Sequence, residues 1–337
     1  MSRPTIEILA TGALSTVQDL GRNGSLRFGV GTSGAMDDLA LAIGNILLGN
    51  EDNAAAIEIP ILPFRMRFLE DSDFALTGAD CGARLDGVAV PPWWCLHARK
   101  GQTLVLGVPL SDARAYVTLA GGIDVPQVLG SRSTQMRGNF GGFEGRPLKK
   151  GDVLKTIARA SGATPLSKVT SAGFGVRPPA FGLPLSAAAT PGAATVTAVR
   201  VLPAGEYDSY TAEALQHFWR ADWQVTPQSD RYGYRLAGPV LSARTLIEKR
   251  SHGIVPGVIQ VPQSGQPIIQ LRDAQPSGGY PKIGTVIEAD IWRLGQTRIG
   301  EAIRFVQVSH AEAVAALQEK DAYLAQLRQA VEWQRKV

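Results

Sequence analysis

Residues 272–284 read RDAQPSGGYPKIG. This one connection carries a carboxylate (Asp273), an amide (Gln275), adjacent glycines (Gly278 and Gly279), a phenol (Tyr280) and an amine (Lys282). Adjacent glycines let the backbone approach a ligand closely and turn successive N–H groups toward an anionic oxygen. Tyr280 can donate to a carbonyl or stack on it, and Lys282 brings positive charge. Asp273 with Gln275 can orient an amide, which needs both a donor and an acceptor. On residue types alone a second reading stays open: a hairpin in which the glycines serve the turn, Asp273 caps it and Tyr280 packs.

SDRYGYRLAG, at 229–238, poses a similar choice. On a strand, Tyr232 and Tyr234 share one face while Arg231 and Arg235 share the other. Arg231 is then either part of a solvated face or a clamp for a carboxylate. Ser251-His252 has no evident third partner, which argues against a serine hydrolase. TVQDLGR and TSGAMD gather Gln18, Asp19, Arg22, Ser33 and Asp37 beside glycine-rich backbone, where capping and turn roles account for Asp37 and Ser33 more simply than ligand binding. Cys81 and Cys95 lack CxxC spacing and read as core thiols of a reduced protein. His97, His217, His252 and His310 are scattered, so no metal site is expected. No GxxxxGKS/T, HExxH or GxSxG motif occurs.

Of the 337 residues, 45% are hydrophobic and 19% charged, the balance of a soluble globular protein. The formal net charge is +4 without a long basic block, which argues against a nucleic-acid surface. There is no apolar leader at the start and no apolar run of about 18–20 residues, so neither a signal peptide nor a membrane span is expected, and the cytoplasm is the expected location.

The elements that must position these groups are mostly strands. With 37 glycines and 21 prolines, the chain favours many turns over long helices. TIEILA opens as a strand, and DDLALAIGNILLGN has helical apolar spacing with Asp37 or Asp38 as N-cap. From Ala55 to Leu154 short strands alternate with Gly, Pro or Asp turns, and Asp86-Gly87 marks a hairpin. Spacings of about ten residues suggest closed or sandwiched β structure. Residues 158–195, rich in Ala, Gly, Pro and Ser, read as a connection. A strand (VTAVRVLPA), a helix (YTAEALQHFWRA) and a second β-rich run follow, and the tail from His310 is an amphipathic helix. The expected domains are 1–157 and 196–337, joined by 158–195.

Taken together, TVQDLGRNG, TSGAMD, LTGADC, AYVTLAGGIDVPQVLGSRST, GGFEGRPLKKGD, DRYGYRLAG, SHGIVPGVIQVPQSGQPI and GGYPKIGTVIEAD resemble one family. It is the biotin-dependent carboxyltransferase, or allophanate hydrolase subunit 2 (KipA), family, and the likeness runs from about residue 5 to 315. The resemblance implies a mainly β fold, with two tandem cyclophilin-like β-barrel domains, a few helices and a closing C-terminal helix. It also implies a KipI-like subunit 1 (B subunit) as partner.

The family has branches. The SHG at 251 and the DAQ at 273 look most like the C subunit of bacterial ATP-dependent 5-oxoprolinase, which acts with B and lactam-utilisation A subunits and uses ATP. The alternatives are the carboxyltransferase part of a urea-type carboxylase, with biotin carried by a partner, or a non-catalytic regulator that binds a KipI-like kinase inhibitor. For any enzyme branch the substrate is a small amide or ureido group. The expected catalytic residues are Asp273, Tyr280 and Lys282, and the expected substrate-binding residues are Arg231, Tyr234, His252, Gln260, Gln275, Gly278 and Gly279. On that reading, substitution of Asp273 or Tyr280 abolishes turnover and leaves folding intact. One departure is clear: the family commonly reads Thr-Thr where this chain has Pro276-Ser277.

Overall fold

The computed structural model describes residues 3–60, 63–158, 166, 170, 172–179, 181, 183, 196–245 and 250–336. Most of the expected connection at 158–195 therefore lies outside the described residues. The rest is mainly β, with four helices of six or more residues among the described residues. The chain divides into two units, each assembled from separated segments. The first comprises Met1–Asn23, Ser33–Pro178 and Ala322–Val337; the second comprises Gly24–Thr32 and Pro179–Asp321.

In the first unit, strands β1 (Arg3–Ala10), β4 (Phe64–Phe68), β6 (Arg84–Leu85), β7 (Val88–Ala89), β9 (Thr103–Leu106) and β11 (Val153–Thr156) form one sheet, in the order β11-β1-β4-β9-β6-β7. A second sheet runs β12-β8-β5-β10-β3-β2. Its strands are β2 (Thr16–Gln18), β3 (Ala56–Ile59), β5 (Ser72–Gly78), β8 (Trp94–Ala98), β10 (Ala115–Leu119) and β12 (Phe174–Gly175). The period of two is visible in FRMRF, where Phe64, Met66 and Phe68 are buried and Arg65 and Arg67 exposed. Those side chains join Ile6, Ile8, Ile57, Phe74, Leu76 and Leu104 in one core. Asp86 and Gly87 both have positive φ (47° and 83°), as the tight hairpin between β6 and β7 requires.

Helix α1 (Asp38–Leu48) starts as its sequence indicates, with the Asp37 side chain accepting from Ala40 N at 2.8 Å. It lies against β5, where Thr77 Oγ1 donates to Ala40 O at 2.7 Å. Cys81 and Cys95 are both buried, and burial pushes the Cys95 thiol up to about 11.

The second unit is a closed barrel in the order β13-β20-β17-β18-β15-β14-β21. Its strands are β13 (Val196–Pro203), β14 (Trp223–Val225), β15 (Gly233–Ala237), β17 (Val258–Gln260), β18 (Ile268–Gln270), β20 (Lys282–Val286) and β21 (Ala302–Gln307). The pairings are antiparallel except at the closure, where β13 and β21 run parallel from Val196↔Ala302 to Val201↔Gln307. Closure leaves no bare edge. Helix α2 (Ala212–Arg220), capped by Thr211, packs Phe218 on Phe305 with ring centroids 4.7 Å apart. Before the short helix α3 (Ile291–Gln296), Asp290 is fully buried and takes Arg200 at 2.6 Å.

The segment Gly24–Thr32 reaches this unit although its neighbours in sequence belong to the first. Thr32 Oγ1 donates to Arg272 O at 3.4 Å. A Cβ on Gly31 would stand 2.6 Å from Ala274 O, a backbone atom that cannot swing away, so only glycine fits. Helix α4 (His310–Lys336) closes the chain as expected. Among the described residues no helix is long and apolar enough to cross a membrane.

Candidate active site

The stretch at 272–284 folds back as half of a two-stranded ribbon. β16 (His252–Gly253) pairs antiparallel with β19 (Ser277–Gly278), placing His252 opposite Gly278. Ile254 N donates to Pro276 O at 3.0 Å and extends the ribbon by one bond. Immediately after it β20 begins at Lys282, whose register partner is Gln260 at the end of β17. Strand pairing within residues 252–286 thus brings His252, Gln260, Gly278 and Lys282 together.

The side chains form a bonded cluster. Lys282 Nζ lies against His252 Nε2. An ammonium has no lone pair, so the neutral imidazole accepts at Nε2, and its Nδ1–H donates to Arg250 O at 3.0 Å. Lys282 is buried and His252 exposed, so the ring connects a sequestered ammonium to solvent. The Lys282 backbone N–H donates to the buried Glu206 carboxylate at 2.8 Å, which brings negative charge close by. Gln260 Oε1 accepts from Gln270 Nε2 at 2.9 Å, and Gln260 Nε2 reaches the Tyr280 carbonyl at 3.5 Å. Any Cβ on Gly278 would sit 2.7 Å from Gln260 Nε2, so this glycine serves close approach.

Beside this cluster, Gly279, Tyr280 and Pro281 form one wall of a cavity of about 810 Å³. Tyr210, Leu241, Arg244 and Gln263 are among the residues on its other walls. Tyr280 is 51% exposed, so part of its side chain is accessible at this wall. Arg244 Nε donates to Tyr210 O at 3.0 Å. Burial, and then the Glu206 carboxylate, hold the Tyr210 phenol above its ordinary range, so it remains a neutral O–H. Residue types and spacing single out none of Tyr210, Glu206, Arg244 and Gln270. Arg244 lies in LSARTLIEKR, a stretch with no periodicity or motif to mark it.

Other expected site residues stand elsewhere. Asp273 is buried and bound by Arg231 in a two-toothed pair, with Nε to Oδ2 at 2.9 Å and Nη2 to Oδ1 at 3.2 Å. Its backbone N also donates to Arg231 O. Arg231 is thus a carboxylate clamp, but the carboxylate is the protein's own. The pair braces the start of the connection, with the Asp273 carboxylate engaged by Arg231. Its removal takes one charge out of a buried, two-point pair, so intact folding is not the expected outcome. Tyr234 is 3% exposed and its hydroxyl donates to Thr297 O at 3.1 Å, which places it in the core. Gln275 is exposed on the ribbon loop, outside the bonded cluster, while Gly278, Gly279, Tyr280, Lys282, His252 and Gln260 do converge.

In the first unit the glycine-rich motifs are structural. Asp19 accepts from Gly21 N, Ser131 Oγ and Arg132 N at 2.8, 2.7 and 2.6 Å, tying its own loop to the one at 131–132. Among the described residues no group of His, Cys, Asp and Glu could hold a metal ion.

Comparison with known proteins agrees with this architecture. The family model for the carboxyltransferase domain, subdomain A and B, matches residues 28–307. The chain is 42% identical over 322 residues to the C subunit of 5-oxoprolinase from Escherichia coli (strain K12), covering 96% of this chain and 97% of that protein. It is 31% identical over 339 residues to the urea amidolyase of Saccharomyces cerevisiae, covering 96% of this chain but 18% of that one. The crystal structure of the K. lactis urea amidolyase superposes with a TM-score of 0.83 at 27% identity, over 97% of this chain and 20% of the other. By the extent of these matches, the chain belongs to the family of carboxyltransferase domains that comprise subdomains A and B.

Proposed function

We propose that this chain is the C subunit of an ATP-dependent 5-oxoprolinase and works with a KipI-like B subunit and a lactam-utilisation A subunit. The observation that carries the reading is the likeness to the 5-oxoprolinase C subunit along essentially the whole of both chains. In the net reaction one water opens the lactam C–N bond of 5-oxoproline to give glutamate. The terminal phosphoryl group of ATP passes to a second water, leaving ADP and phosphate.

The cluster supplies what ring opening needs. The lactam nitrogen leaves as an amine and must take up a proton. Lys282 gives that proton, and His252, in contact with it and open to solvent, takes one from water at Nε2 and passes it to the Lys282 amine. Gly279 and Tyr280 line the cavity, and on this reading the Gly279 backbone N–H and the Tyr280 hydroxyl donate to the carbonyl oxygen as it gains charge; such donors contribute roughly 3–4 kcal/mol each. Gln260 holds the Tyr280 carbonyl and so the pose of that wall. Asp273 and Arg231 hold the connection in position from behind.

A second reading, transfer of a carboxyl group from biotin carried by a partner to a urea-like nitrogen, draws on the family model and the amidolyase superposition. One experiment separates the two. The chain is co-expressed with its subunit-1 partner, with and without the lactam-opening subunit, and assayed for ATP-dependent release of glutamate from 5-oxoproline and for urea carboxylation. Glutamate release that falls about 10²–10⁴-fold in Lys282→Met and His252→Gln complexes, with assembly unchanged, is expected. Urea carboxylation without glutamate release would select the second reading.

A further inference from the structure

Among the described residues that line the cavity beside Gly279 and Tyr280, Arg244 is the only charged side chain; the Glu206 carboxylate, which acts on Tyr210, is not among them. The bond from Arg244 Nε to Tyr210 O fixes the plane of the guanidinium, while its two terminal nitrogens have no partner among the described residues. A second unmet group stands beside it. Tyr210 is 1% exposed, yet its hydroxyl has no hydrogen-bond partner among the described residues. Buried hydroxyls are nearly always bonded, so one without a partner at a cavity wall marks a place for a ligand oxygen. Leu241, Val261 and Pro281 add apolar wall.

We infer that this cavity binds the carboxylate of a small cyclic amide, with the terminal nitrogens of Arg244 as a fork for its two oxygens and the Tyr210 hydroxyl as a further donor. The inference rests on the 5-oxoprolinase reading for the identity of the lactam. The planar fork of arginine matches a carboxylate at two points, which a neutral urea cannot use. Apolar walls take the ring methylenes. Anchoring the carboxylate at Arg244 turns the amide toward Gly279 and Tyr280, the stretch that leads into Lys282. Arg244 is therefore the residue that selects an acidic lactam over an uncharged ureido substrate. The cavity volume exceeds what such a lactam fills, which leaves space for the second reactant.

The test uses the assembled complex and two probes, 5-oxoproline and cyclopentanecarboxylate, a carboxylate of similar ring size without an amide. Binding of cyclopentanecarboxylate is measured by calorimetry for the native complex, Arg244→Gln, Arg244→Lys and Tyr210→Phe. Loss of a charge-assisted fork is expected to weaken binding roughly 10- to 100-fold in Arg244→Gln, with part recovered in Arg244→Lys and a loss of about 3- to 10-fold in Tyr210→Phe. KM for 5-oxoproline should rise in parallel while kcat changes much less, a split that a merely structural role does not produce. Binding of the probe within twofold of native in Arg244→Gln, or no binding by the native complex, overturns the inference. A complex that binds the probe through Arg244 but releases no glutamate keeps the carboxylate site and sinks the proposed reaction instead.

Discussion

Two polar pairs in this chain look alike on paper and differ in what they do. Arg231 with Asp273 is buried on both sides and bonded at two points, whereas Lys282 with His252 joins a buried ammonium to an exposed ring. The first satisfies itself and has no capacity left to move a proton. The second links the interior to solvent and keeps that capacity. Stability measurements should separate them. Asp273→Asn removes one partner of a buried pair and is expected to lower unfolding stability by about 3–5 kcal/mol, read by thermal or denaturant unfolding of the isolated chain. A melting curve that coincides with native would show that the buried Arg231 cation does not depend on the Asp273 charge. The types Asp, Arg, Lys and His were plain in the sequence, but their partners were not. Arg231 and Asp273 meet across 42 positions, and only the pairing of β15 with β18 sets that distance.

At the scale of elements, the motif GGFEGRPLKKGD forms the turn that leads into β11. Arg146 forks onto Asp152, Nη1 to Oδ2 at 2.8 Å and Nη2 to Oδ1 at 3.0 Å, and Lys149 N donates to the same carboxylate at 2.8 Å. Burial alone would raise the Asp152 carboxyl, but the bonds from Arg146 and Lys149 outweigh it and hold it below the usual carboxylate range. The folded value is depressed, so the stabilisation is present above the unfolded pKa of about 3.9 and is lost as pH falls through the folded value. Asp152→Asn is therefore expected to lose about 1 kcal/mol at neutral pH, with native and variant converging below about pH 4. Unfolding curves taken across that range check it, and a gap that widens in acid contradicts the assignment. The tight turn at Asp86-Gly87 and the Asp37 cap of α1 were legible beforehand, because each depends on a few adjacent residues.

For the whole molecule, the order of segments along the chain does not match their grouping in space. Gly24–Thr32 belongs with the second unit and Ala322–Val337 with the first. In the first unit, Arg335 Nη2 donates to Leu47 O at 2.8 Å, which ties the end of α4 to the end of α1. A cut after Pro178 consequently leaves each fragment without a piece of its own unit. Fragments 1–178 and 179–337 expressed separately are expected to lose cooperative unfolding, and co-expression should restore it; two sharp, native-like transitions from the separate fragments would refute the shared-segment account.

Residue order was enough to read the β-rich class, the capped helix, the hairpin turn, the closing helix and, through motifs in a constant succession, the family. Those are signals of a few neighbouring residues or of a repeating apolar period, and sterics and burial act on them locally. Which charges are paired, that Tyr234 is core, that Tyr280 and Arg244 share a cavity, and which segment joins which unit emerged only from the folded chain. Those facts depend on strand register and barrel closure, where a shift of one residue turns a side chain to the other face, and no local pattern encodes that choice.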